Sequence, residues 1–182
     1  MTDLKPGDFG VLNVPAHSWR NRFTGALIRG ATASPYDHAI TFIGNNLIGE
    51  AVGAGYRVVS LNSYRGVDIL WSTGALDLTP DQRTICTMAA HNLANRNGGR
   101  GIPYGFPDIA ELALTLMAKR RAPNWVLERL NDGQTMICSQ AVAWILSRAG
   151  VTLFPGRTFG EVTPGDLGRW IYQHMQLPAA TV

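Results

Sequence analysis

A helix that is apolar on nearly every side must be surrounded by other elements, and residues 137–149 predict one. Ala141, Val142, Trp144, Ile145 and Leu146 spread around its circumference before Gly150 ends it. Such a helix is stable only when enclosed, so the remaining chain has to build a core around it. The chain can do so: 182 residues with 46% hydrophobic side chains suit one domain, spanning 1–182, that needs no metal or disulfide staple. The hydrophobic fraction and five Trp exclude an intrinsically disordered chain. Two cysteines are too few for a disulfide scaffold or a four-thiolate zinc site.

The enclosing elements come mostly from the first third of the chain. Short apolar or β-branched runs at 10–14, 38–43, 47–52, 56–61 and 66–71 are separated by turn residues, notably Gly44-Asn45-Asn46 and Gly53-Ala54-Gly55. Strands this close together imply an antiparallel meander. A helical pattern at 18–31 lies between the first two. Thr79-Pro80-Asp81-Gln82 combines an N-cap Thr, a Pro in the first turn and a capping-box Gln. Ile85, Met88, Ala89 and Leu93 continue that helix until Gly98-Gly99. Another helix is expected over 107–119, and Thr163-Pro164-Gly165-Asp166 starts a last one near 167–173. The fold class is therefore α+β, with an antiparallel sheet of about five strands first and the buried helix late.

Cys138 stands at the start of that buried helix. Unpaired N–H groups and the macrodipole at a helix N-terminus favour a thiolate, yet a nucleophilic Cys also needs a base and a group that orients the base. Free Cys is more often plain core packing, and the residues alone leave both readings open. Cys86 lies mid-helix and reads as structural. His38 opens a strand, and Glu50 lies on the returning one. A three-residue loop at 44–46 would pair Ile40 with Glu50. His38 and Glu50 would then share one sheet face as diagonal neighbours, ~7–8 Å apart at Cα. A two-residue loop would put them on opposite faces. His17, His91 and His174 have no comparable partner.

Other chemistries find little support. No HExxH, CxxC or carboxylate cluster suggests a metal, and Gly98-Gly99-Arg100-Gly101 lacks the Lys-Ser/Thr of a phosphate loop. No cofactor is expected. The net charge is +3, with fourteen Arg and only Lys5 and Lys119, a bias that does not by itself make a nucleic-acid binder. No apolar run approaches the ~20 residues of a membrane span. The opening Met1-Thr-Asp-Leu-Lys-Pro-Gly carries no apolar stretch behind a basic head, so synthesis in the cytoplasm is expected.

Several short motifs in one order carry a resemblance. They are Pro6-Gly7-Asp8-Phe9, Asp37-His38-Ala-Ile-Thr-Phe-Ile-Gly, Leu47-Ile-Gly-Glu50-Ala and Gly55-Tyr-Arg-Val-Val. Further on come Tyr104-Gly-Phe, Ile137-Cys138-Ser139-Gln140 and Thr163-Pro164-Gly-Asp-Leu. Across residues 5–168 the chain resembles NlpC-type papain-like cysteine peptidases of the circularly permuted subgroup, in which the His-bearing sheet precedes the Cys helix. The resemblance implies Cys138 as nucleophile, His38 as general base and acid, and Glu50 as the residue that orients it. It also implies Tyr104 and Ser139 as substrate or oxyanion contacts. The implied substrate is a peptide or cell-wall peptide amide. Two departures stand out: Gln140 occupies a position where many permuted members have Glu, and a helical insert at about 107–130 carries Lys119-Arg120-Arg121. A scaffold does not fix an activity, so a non-catalytic binding or inhibitory module and a lipid acyltransferase or deacylase remain alternatives. The oligomeric state is not legible.

Overall fold

A computed structural model describes residues 3–14, 34–103 and 136–175. Strands β1 (Phe9–Leu12), β2 (His38–Gly44), β3 (Leu47–Val52), β4 (Gly55–Ser60) and β5 (Ile69–Trp71) form one antiparallel sheet. Helices α1 (Pro80–Gly99), α2 (Cys138–Arg148) and α3 (Pro164–His174) follow. This is the expected α+β class, consistent with a papain-like domain. The helical patterns at 18–31 and 107–119, and the whole insert at 107–130, lie outside the described residues.

The strand order is β4-β3-β2-β1-β5, which corrects the simple meander. The first four strands follow it, but β5 pairs with β1 on the far edge rather than with β4. Residues 61–68 must therefore cross four strand spacings, about 19 Å at ~4.8 Å each, within the ~26 Å reach of such a segment. Gly10 favours this docking. A Cβ there would stand only 2.6 Å from Ile69 Cγ2 and 3.0 Å from Trp71 Cε3, so the bare glycine lets both side chains lie across β1.

Both sheet faces are buried. One carries Phe9, Val11, Ala39 and Ala51 against the helices, where Cys86, Leu93, Val142, Ile145 and Leu146 complete the larger core. The other carries Leu12, Ile40, Phe42 and Ile48, covered by the 61–68 crossover and by Ile69 and Trp71. Helix α2 is enclosed as its composition requires: seven of its residues are buried, including Cys138, Ser139 and Gln140.

The short motifs have identifiable structural work. Thr79 and Gln82 form the expected capping box, Gln82 N donating to Thr79 Oγ1 at 3.2 Å and Thr79 N to Gln82 Oε1 at 2.9 Å. Thr163 and Asp166 do the same for α3. Asp8, from the Pro-Gly-Asp segment, is buried and pairs with Arg83 of α1 at 3.2 Å, which ties the first strand to the first helix.

Candidate active site

Turn geometry decides whether His38 and Glu50 can meet, and it does so by an unexpected route. The β2–β3 loop has two residues, Asn45 and Asn46, with φ of 50° and 58°. Two consecutive left-handed residues suit a tight hairpin, and Asn tolerates them. A two-residue loop alone would place the pair on opposite faces. A register shift between Phe42 and Gly44 adds one residue on β2, and Ile40 consequently faces Glu50. His38 and Glu50 thus share a face, as the three-residue reading required, through a bulge instead of a longer loop.

His38 Nε2 lies 3.0 Å from Glu50 Oε2, with the carboxylate fully buried and the imidazole 8% exposed. An ionised carboxylate can only accept, so Nε2 carries the hydrogen. The other ring nitrogen, Nδ1, is left for a further partner, and Cys138 is close enough to act on the His38 imidazole. Cys138 arrives as the first residue of α2 and is itself buried.

Burial alone would push the His38 imidazole down. The charge of Cys138 and its hydrogen bond, reinforced by Glu50, outweigh it and raise the group to about 10. Burial would likewise raise Glu50. Hydrogen bonds from His38 and Tyr64, then the charges of His38 and Arg57, pull it down to about 2. The arrangement therefore favours a protonated imidazole held against the Glu50 carboxylate at neutral pH. An imidazole so held beside a Cys side chain can exchange a proton with it and with a leaving group.

Two residues of this cluster were missed in the sequence. Arg57 Nη2 and Nε bond Glu50 Oε1 at 2.8 and 2.9 Å. Its signal was present: the two-residue loop Gly53-Ala54 pairs Val52 with Gly55 and hence Glu50 with Arg57. Tyr64 donates to Glu50 Oε2 and stacks on His38. It comes from a 3-10 turn, Leu61–Tyr64, whose residues show no periodic pattern.

The remaining candidates fall elsewhere. Tyr104 lies outside the described residues. Ser139 is buried and its hydroxyl donates to Val162 O at 2.6 Å, which leaves only its backbone N–H for an oxyanion. Gln140 accepts from Ile137 N at 3.0 Å and donates to Gly160 O at 2.9 Å. A Glu could make the first bond but not the second, so the amide at this position locks α2 to the 3-10 turn Phe159–Glu161. Cys86 is a free thiol whose burial, opposed by Arg83, pushes it up to about 11. His174 stacks on Trp170 at 3.9 Å, and His91 is exposed on α1.

No protein-family model matches the chain, and no solved structure matches it. Among curated proteins, it is similar to the probable lipoprotein peptidase YaeF of Escherichia coli (strain K12). The two are 28% identical over 184 aligned positions, which cover 91% of this chain and 63% of that protein. The chain thus spans less than two thirds of that protein's length. Among the described residues, no helix is long and apolar enough to cross a membrane.

Proposed function

We propose that the chain is a cysteine hydrolase that cleaves an amide bond in a peptide or cell-wall peptide, on a papain-like domain of permuted order. The observation that carries this reading is the buried His38–Glu50 hydrogen bond, with Cys138 at the α2 N-terminus near enough to act on the imidazole. The resemblance of the surrounding motifs and the likeness to a probable peptidase support it.

In this reading the Cys138 thiolate attacks the amide carbonyl. The backbone N–H of Cys138, unpaired at the helix start, stabilises the oxyanion. The C–N bond breaks as His38 gives its proton to the departing amine, leaving a thioester on Cys138. His38, now neutral, takes a proton from water, and the hydroxide so formed displaces the sulfur. The acid product leaves and the ion pair is restored. Glu50 keeps the imidazole in one tautomer throughout.

Digestion of purified cell-wall sacculi, with mass analysis of the soluble products, tests the substrate class. Released peptides whose paired masses sum to the parent plus one water are expected. Turnover of lipid esters with no peptide release would contradict the amide reading, and an intact thiol with neither activity would favour a binding module.

A further inference from the structure

Glu50 holds more donors than an orienting carboxylate requires. Oε2 accepts from both His38 Nε2 and the Tyr64 hydroxyl, while Oε1 accepts from Nε and Nη2 of Arg57. Four donors fill the four acceptor positions of a carboxylate. The group has no free rotation left, and no water is needed to satisfy it.

Tyr64 also acts on the second partner. Its ring is stacked on the His38 imidazole at 6.3 Å between centroids and 20° between planes. One side chain therefore touches both members of the His–Glu pair, with its hydroxyl on one and its face on the other. The turn that carries it is anchored: Leu61 N donates to Asn46 O at the tip of the β2–β3 hairpin at 2.8 Å, and Val67 N donates to Tyr64 O at 3.0 Å. Ser60 Oγ caps the same turn through Asn62 N at 3.2 Å. The hairpin that sets the His38–Glu50 register thus also sets the height of Tyr64.

Resting on the hydrolase reading, we propose that Tyr64 and Arg57 are the positioning residues of the site. Together they hold Glu50 and the His38 ring in the one orientation that aims Nδ1 at Cys138. Tyr64 acts on both groups. Arg57 acts only on Glu50, and from a half-exposed side chain, so the two can be separated.

Tyr64→Phe keeps the stack and removes one charge-assisted hydrogen bond, whereas Arg57→Gln removes the ion pair without touching the core. In each full-length variant, the rate of Cys138 alkylation by iodoacetamide at neutral pH is expected to fall on the order of tenfold. On any cleaved peptide, kcat should fall with KM unchanged. The acid limb of the pH–rate profile should move to higher pH, because Glu50 has lost a donor that favours its charged form. Arg57→Lys, which retains the charge, should recover part of the rate. A lower Tm with unchanged alkylation rate and unchanged acid limb in both variants would mean a purely structural role and overturn the proposal. If wild-type Cys138 is fast and dependent on His38 while Tyr64→Phe and Arg57→Gln match it, this inference alone fails. If wild-type Cys138 reacts no faster than a free thiol, the hydrolase reading fails and the positioning role with it.

Discussion

Replacing Cys138 by alanine is expected to reduce hydrolysis by about a thousandfold or more, since it removes the proposed nucleophile. The fold should persist. The change removes one buried sulfur from the larger core, a cavity worth about 1 kcal/mol and a Tm loss of roughly 2–4 °C in a chain of this size. Circular dichroism should be unchanged. Substantial turnover by a folded Cys138→Ala protein would remove the thioester from the mechanism. Loss of turnover through loss of folding would show as a collapsed melt, and Cys138→Ser, closer in volume, then carries the test.

The second large effect is on Glu50, where stability and activity should fall together. Glu50→Gln keeps the shape but leaves His38, Tyr64 and Arg57 with a neutral partner that can accept at only one end. Removing one member of a buried ion pair costs about 3–5 kcal/mol, and the half-exposed Arg57 brings the expected loss to about 2–3 kcal/mol. Its pH dependence has a definite sign. The folded carboxyl is held at about 2, below its ordinary value of 4.5, so its stabilising share is complete above the ordinary value and is lost as pH falls toward 2. The Tm gap between wild type and Glu50→Gln should be widest at pH 5–7 and narrow progressively below about 4.5. A gap that stays constant down to about pH 3 would mean that Glu50 contributes through shape alone.

Much of this arrangement could be read from local chemistry, and the misses have physical causes. Helix starts were legible because caps are short-range: Thr79 with Gln82 and Thr163 with Asp166 each act within one turn. The burial of α2 followed from its composition. The Ile40–Glu50 pairing was legible in its result and not in its route, since one residue of bulge and a shorter loop give the same register. Arg57 obeyed the same hairpin arithmetic one strand further on. The partner of β5 was not legible, because strand propensity says nothing about which edge a strand joins. Only the bare surface of Gly10 hints at it. Tyr64 reaches Glu50 by tertiary packing of an irregular turn, for which a sequence pattern holds no signal.

The central claim is that His38 activates Cys138, and alkylation tests it without a known substrate. Iodoacetamide reaction is followed by mass spectrometry of the Cys138 peptide from about pH 5 to pH 9, in wild type and His38→Ala. Cys86, whose thiol burial pushes up to about 11, serves as an internal control that should stay unlabelled. The account predicts that Cys138 in wild type labels faster at neutral pH than a free thiol does. In His38→Ala, labelling at neutral pH should fall by about a hundredfold, leaving only the alkaline rise of a free cysteine. Identical profiles in the two proteins, or a wild-type Cys138 that remains unlabelled, would contradict it.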